Sequence, residues 1–407
     1  MSKVITGLDI GSAYIKGVVT EVRKDGTLGV IAAFKQPSKG FRKGVLVDID
    51  DARIVLNNLA QELKQVSRDA TKNVFLNANS EHVKGRISRG ISAVSQPDKE
   101  IKQEDVERAV QASRAAKVLP NYKVLHIITR EFIVDEVGGI QDPVGMTGNR
   151  IEISTLIVES FAPHLDTLAG AVEEAGMTVG GMIFNPLAAA RAVLSKQQKE
   201  LGVMVIDFGA GTTSVALFEE QKPLYAKSFP IGGGHITNDI AIGLKIPVEM
   251  AEQLKCEFGS AYAKKVSRRD VIRCAEFDPA LEGEVPRRFL AEIIEVRVAE
   301  IMDIVNNEVR PLMERFRFPA GVVATGGGVK LEGMTELIKE EMGLPTQIGT
   351  PNVGVFEIEN PRHESLIHDP EFVTAIGLVL VGCDEAQQKK SGALLQTMKK
   401  IVRNLIP

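Results

Sequence analysis

Two short stretches of this sequence carry residue types whose spacing could do chemistry. Val203-Met204-Val205-Ile206 is an apolar run that ends in Asp207, and Phe208-Gly209-Ala210-Gly211-Thr212-Thr213 follows as a glycine-rich turn before a second strand, Ser214 to Phe218. A tight glycine turn leaves backbone N–H groups free to point at one anion and lets that anion come close. Thr212 and Thr213 would add hydroxyl donors. Asp207 would repel a phosphate, so it is read as holding Mg2+ through water. The N-terminus repeats the device. Asp9 ends the apolar run from Val4, Gly11-Ser12-Ala13 makes the turn, and Tyr14 to Val19 continues as a strand carrying Lys16. Asp9 matches Asp207 and Gly11 matches Gly209. One such turn is an ordinary strand connection. Two in matching strand–turn–strand settings predict a duplicated fold whose hairpins face one nucleotide.

The bulk numbers leave room for this and exclude other classes. The 407 residues suffice for two to three domains, and 44% hydrophobic with 25% charged residues is the balance of a soluble protein. A net charge of −4 argues against broad nucleic-acid binding. Cys256, Cys274 and Cys383 are far apart and form no CxxC or Cys/His cluster, which fits a reducing cytoplasm. The run from Val4 to Ile10 lacks a basic leader and signal-peptide length, so secretion is not expected. Phe372 to Val381, the longest apolar stretch, is too short to span a bilayer. The P-loop, zincin, hydrolase-elbow and GxGxxG patterns are absent.

The elements that must position the two hairpins can be read in order. Residues 1–35 form three strands with a turn at Lys24-Asp25-Gly26, and residues 50–67 a helix with Ile54, Val55, Leu59, Leu63 and Val66 on one face. Val74-Phe75-Leu76 is a short strand. Residues 81–159 are an α+β insert without a chemical motif. It comprises a hairpin within 83–94, a helix over 104–117, strands at 124–129, 131–137 and 150–158, and a loop over 138–146. A helix over 161–175 stops at Gly176, a strand spans 177–184, and Asn185-Pro186 opens a tightly packed alanine-rich helix. His235 starts a further helix and is read as structural. Pro247 opens a helix carrying Glu252 and Lys255. A long helix over 286–310 shows one stripe of Leu290, Ile293, Ile294, Val298, Ile301 and Val305. Then come a helix at 334–342, a strand at 346–348 and a helix at 370–381.

Residues 384–393 read as a polar linker, and 394–406 as an amphipathic helix. There Leu394, Leu395, Met398, Ile401, Val402, Leu405 and Ile406 follow helical rhythm, with Lys399, Lys400 and Arg403 on or beside the other face. Five basic side chains and no acidic one follow from Lys389 onward, a composition suited to an anionic membrane surface. Packing on the body or on another subunit is the competing use.

The hairpin pair resembles the phosphate loops of the actin and heat-shock-chaperone ATPase superfamily. Val322 to Val329, with Gly326-Gly327-Gly328-Val329, is similar to that superfamily's adenosine-binding strand and turn; hexokinase-like sugar kinases share all three elements. Chaperone ATPases and MreB carry Glu before the proline that Asn185 precedes here, and Asn cannot take a proton from water. Glu252 and Lys255 resemble an MreB segment near ribose and adenine, with a solvated helix face as the alternative. More specifically, the chain resembles the FtsA family of bacterial actin-like division proteins. The resemblance rests on Asp9 to Lys16, Leu125-His126-Ile127-Ile128, Asp142-Pro143-Val144-Gly145-Met146, Ile231 to Ile240, and Leu290 to Glu295 with Arg297.

That resemblance implies an α/β actin-like ATPase fold: two lobes on a duplicated ribonuclease-H-like core. Subdomain 1A would comprise 1–80, 160–197 and 369–383, with a 1C insert at 81–159. Subdomain 2A would comprise 198–228 and 311–368, with 2B at 229–310, a linker at 384–393 and a membrane-targeting helix at 394–407. It also implies ATP and Mg2+ between the lobes, at most slow hydrolysis, self-association into head-to-tail filaments, and other division proteins as partners. The FtsZ C-terminal peptide would dock on 229–310 with Arg297 in contact, tethering FtsZ to anionic inner-membrane lipids at the septum. The family's membrane helix usually carries Trp or Phe, and this tail has neither. A PilM-like pilus adaptor and a sugar or acetate-type kinase are the alternative functions.

Overall fold

A computed structural model of the chain describes residues 3–96, 98–115, 119–273 and 283–390. The first lobe opens with three antiparallel strands, β1 (Lys3–Ile10), β2 (Tyr14–Val22) and β3 (Leu28–Pro37), followed by a two-stranded ribbon of β4 (Phe41–Arg42) and β5 (Val45–Leu46). Helix α1 (Ile49–Val66) then crosses to β6 (Val74–Ala78), which lies parallel to β1. Asp48 caps α1 by accepting from the amides of Asp50 and Asp51, both at 3.1 Å. The buried face of α1 is Ala52, Leu56, Leu59, Ala60 and Leu63. Ile54 and Val66, expected on that face, are 61% and 40% exposed. Small alanines let the helix lie close to the sheet, so the true stripe is less apolar than a count of large side chains implies.

The insert begins with β7 (Lys84–Ala93), one continuous strand rather than the expected hairpin. It pairs with β10 (Arg150–Phe161) along its whole length. Gly90 resembles a turn signal but serves contact. Helix α2 (Gln103–Arg114) lies so close that a Cβ at Gly90 would stand 2.0 Å from the Ala109 carbonyl oxygen. The two strands expected at 124–129 and 131–137 are a single one, β8 (Tyr122–Val134). Part of the expected loop is β9 (Val137–Ile140), which folds back on β8 through Asp135 and Glu136, both at positive φ. Helix α3 (Ala162–Glu174) and β11 (Val179–Phe184) return the chain to the first sheet. Helices α4 (Asn185–Val193) and α5 (Lys196–Leu201) lead to the second lobe.

The second lobe repeats the first. Strands β12 (Val203–Phe208), β13 (Thr213–Glu219) and β14 (Lys222–Phe229) are antiparallel. Helices α6 (Gly233–Leu244) and α7 (Val248–Phe258), the ribbon of β15 (Val271–Arg273) and β16 (Glu284–Pro286), and the long α8 (Arg287–Arg315) precede β17 (Val322–Thr325), which is parallel to β12. The stripe on α8 is buried as expected at Leu290, Ile294, Val298, Ile301 and Val305, with Ile293 partly buried. Helix α9 (Met334–Met342) and β18 (Thr346–Ile348) follow. The order β11-β6-β1-β2-β3 in the first sheet therefore corresponds to β18-β17-β12-β13-β14 in the second. The second sheet continues into the insert through one pairing, Lys227 with Lys84.

Two boundaries differ from the sequence reading. Strand β19 (Phe356–Glu357) pairs with β3, and α10 (Pro361–Ile367) follows it. The chain has thus returned to the first sheet within the 311–368 segment assigned to the second lobe. Helix α11 (Val373–Lys390) runs on through the first seven residues of the expected linker. Arg191 holds it there with a two-point bond to Asp384, at 2.8 and 3.1 Å. The apolar run 372–381 and the alanines Ala188 to Ala190 share one core with Ile5 and Val203, so α4 and α11 are packed between the two sheets. Among the described residues no single helix is long and apolar enough to cross a membrane. Residues 394–406 lie outside the described residues.

Candidate nucleotide site

The two hairpins are built alike. Gly11 N–H donates to the Tyr14 carbonyl at 3.1 Å, and Gly209 N–H to the Thr212 carbonyl at 2.9 Å. Asp9 and Asp207 end their strands almost fully buried. Strand register sets Lys16 opposite Asp9, and its Nζ reaches Asp9 Oδ2 at 2.6 Å. Burial works against the Lys16 ammonium, but the carboxylates around it, Asp9 foremost with Asp207 and Glu371, outweigh burial and keep the pKa above the ordinary lysine value. Burial pushes the Asp207 carboxyl up to about 6, and the Asp9 charge pushes it in the same direction. The carbonyls of Gly209 and Ala210 accept from the Gly233 and Gly234 amides that open α6, at 2.9 and 2.8 Å. Because a trans peptide sets C=O and N–H on opposite sides, the Ala210 and Gly211 amides point away from α6.

One of the two threonines corrects the sequence reading. Thr213 is fully buried and its hydroxyl donates to the Ile231 carbonyl at 2.8 Å, so it is not a free donor. Thr212 Oγ1 accepts from Asn79 Nδ2 at 2.9 Å. Asn79 Oδ1 in turn accepts from Ser214 at 2.6 Å and Ser228 at 3.0 Å. Two residues earlier, Asn77 Oδ1 accepts from the Ile10 amide at 2.8 Å. Asn77, in β6, therefore pins the first hairpin, and Asn79, directly after β6, pins the second. The sequence reading missed them. Two amides at the carboxyl end of a buried strand were the available signal, since open α/β sheets place ligands there.

Asn185 is 4% exposed, and its Nδ2 donates to Asp207 Oδ2 at 2.9 Å. Its Oδ1 has no partner among the described residues. The Gly326 turn abuts the same carboxylate: a Cβ at Gly326 would lie 2.7 Å from Asp207 Oδ1. Gly327 faces Glu371, Gly328 lies on the Phe208 ring, and Val329 is buried. Lys255 Nζ bonds Glu252 Oε2 at 2.6 Å, Thr237 Oγ1 at 2.8 Å and the Gly233 carbonyl at 3.3 Å, so α7 is fastened to the start of α6 beside the second hairpin. His235 Nδ1 accepts from the Gly232 amide at 3.2 Å, the structural role expected.

Glu371, also missed, takes Lys35 at 2.5 Å and Lys330 at 3.2 Å, and Lys35 lies over the Tyr14 ring at 4.0 Å. Burial raises the Glu371 carboxyl, and the two lysines overcome it to leave its pKa below the ordinary value. These residues come from 35, 330 and 371, a spacing no local motif displays. Arg297 donates to both Asp239 oxygens and pairs with Glu300 at 2.7 Å.

The donor set fits a magnesium nucleotide. Two buried carboxylates flanked by one lysine suit a hydrated divalent cation, and the unpaired Asn185 Oδ1 is an acceptor suited to one of its waters.

Comparison with known proteins agrees with this architecture. Residues 204–377 match the family model described as cell division protein FtsA, and residues 80–159 match the SHS2 domain inserted in FtsA. The cell division protein FtsA of Pseudomonas aeruginosa is 32% identical over 380 residues, covering 93% of this chain and 89% of that protein. The Bacillus subtilis FtsA is 31% identical over 387 residues, covering 95% and 85%. Among solved structures, a PilM–PilN type IV pilus biogenesis complex chain superposes with a TM-score of 0.64 at 18% identity, covering 93% of this chain and 98% of that one. MreB5 of Spiroplasma citri bound to ADP superposes with a TM-score of 0.53 at 14% identity, covering 98% and 99%. At such identities these structures speak to the fold, which is the actin-like ATPase fold, while the sequence relatives speak to descent: the chain belongs to the FtsA family of cell division proteins.

Proposed function

We propose that this chain is a nucleotide-switched adaptor of bacterial cell division. It binds ATP with Mg2+ between its lobes, polymerises on the inner face of the cytoplasmic membrane at the septum, and tethers FtsZ there. The observation that carries the reading is the pair of like hairpins bringing Asp9, Lys16 and Asp207 together beneath the Gly326 turn. The structural neighbours described as MreB5 bound to ADP and to AMPPNP support it. In this reading the amides of Ser12 and Ala13 and of Ala210 and Gly211 bind phosphate oxygens, those of Gly11 and Gly209 closing the hairpins instead, and Lys16 adds charge. Asp9 and Asp207 hold the cation through its waters, and Asn185 orients both Asp207 and one water. Glu252 and Lys255 line the ribose side, with Gly326 to Val329 under the base. Bound Mg2+ supplies the positive charge that lets the phosphates lie beside two carboxylates.

Asn185 holds a water but cannot deprotonate it, so these residues favour binding over turnover. A ligand gripped by both lobes favours the conformation in which they are drawn together, and that conformation is the polymer-competent one. Titration calorimetry tests the site. The full chain should bind ATP in the presence of Mg2+, and Asp207→Ala should abolish binding. Unchanged affinity in Asp207→Ala would sink the assignment.

A further inference from the structure

The ribbon β4–β5 supplies a third segment to the site. Both residues of its loop have positive φ, Lys43 at 49° and Gly44 at 72°, as does Gly40 just before β4, at 80°. Lysine adopts that region only where surroundings compel it. Here they do. Gly44 lies so close to the Asn79 carbonyl that a Cβ would fall 1.3 Å from its oxygen, and its N–H donates to Ser12 Oγ at 3.2 Å. The Lys43 backbone presses on Gly211, where a Cβ would stand 2.9 Å from Lys43 Cα and 2.5 Å from Ser12 Oγ. One knot therefore holds the tip of the first hairpin, the tip of the second, and Lys43. Lys43 forms no ion pair among the described residues, and its charge is felt at His235 in the first turn of α6. The strap touches the hairpin tips rather than the Gly326 turn, which sets it at the phosphate end.

We infer that Lys43 is a ligand of the terminal phosphate, and that the 40–44 strap distinguishes a nucleoside triphosphate from a diphosphate. The inference rests on the nucleotide reading above. Ser12 takes the Gly44 N–H on a lone pair and so keeps its own proton to donate to a phosphate oxygen. The Lys43 ammonium supplies a full charge beside it. A diphosphate lacks the oxygens that these two donors would meet.

The test is calorimetry on the full chain with Mg-ATP and with Mg-ADP. Lys43→Gly is the informative variant, because glycine keeps the positive φ without strain while removing the ammonium. Wild type should prefer ATP over ADP by about tenfold or more. Lys43→Gly should lose about tenfold in ATP affinity while ADP affinity stays within about twofold, and Lys43→Arg should keep most of the preference. Lys43→Gly binding ATP like wild type, or weakening ATP and ADP equally, overturns the strap's role and leaves the nucleotide site standing. Wild type binding neither nucleotide overturns the nucleotide reading and this inference with it.

Discussion

His126 belongs to the insert, yet its Nε2 accepts the Phe184 N–H at 3.0 Å, directly before Asn185. That bond needs a neutral ring, and burial holds the imidazole down at about 4. The unfolded chain, with an ordinary histidine near 6.5, then binds more protons between those two values. Stability from this group is complete above about pH 6.5 and is lost as pH falls toward about 4. His126→Gln keeps an acceptor but does not titrate. Urea unfolding near pH 7 and near pH 5 should show wild type losing about 2 kcal/mol more than the variant. Equal losses would mean the ring is already solvated. The bond also ties the insert to the backbone that carries Asn185, a residue whose own amide holds Asp207.

At the scale of elements, α6 and α8 form the face proposed for the FtsZ C-terminal peptide. Ile242 on α6 and Val296 on α8 are 76% and 70% exposed, unusual for large apolar side chains beside a core stripe. Arg297 stands next to Val296, held in place by Asp239 and Glu300. A positioned guanidinium loses less freedom on meeting a partner than a loose one. Arg297→Glu would set three carboxylates together and should weaken the FtsZ C-terminal peptide by about tenfold in fluorescence anisotropy, the scale of one contact of ~1.4 kcal/mol. ATP affinity should not change, because the nucleotide residues lie elsewhere. Peptide binding as tight as wild type would remove Arg297 from the face.

For the whole molecule, the proposed anchor is residues 394–406, while the structure makes 390 the natural place to cut. Helix α11 runs to Lys390, with Arg191 clamping it at Asp384. Removing 391–407 should therefore spare folding and ATP binding, yet abolish co-sedimentation with anionic liposomes. Each basic side chain near such a surface contributes about 1 kcal/mol before screening, so the three that this cut removes, Lys399, Lys400 and Arg403, set a ceiling of roughly 3 kcal/mol. One tail without aromatic anchors binds reversibly, and a filament of tails binds firmly. Met398→Glu should act nearly as strongly as the truncation, and high salt should weaken attachment without ending it. Truncated protein that still pellets with liposomes while monomeric would place the anchor elsewhere.

Sequence alone determined the two hairpins, because a strand ending in Asp before a glycine turn is local chemistry. It also determined α9, β18 and the α8 stripe, where periodicity matches burial. The FtsA resemblance was legible in motifs scattered from Asp9 to Arg297. Only the tertiary structure decided which alanines face the sheet in α1, that Gly90 meets a helix rather than making a turn, and that 384–390 continue a helix. Each depends on a neighbour distant in the chain. The same holds for the site's supports. Asn79 fastens Thr212 across 133 positions, Thr213 spends its hydroxyl on Ile231, and Lys43 arrives at Gly211 from another lobe. Hydrogen bonds and close contacts between remote segments leave no periodic trace, so the chemistry could be read from the sequence and its supports could not.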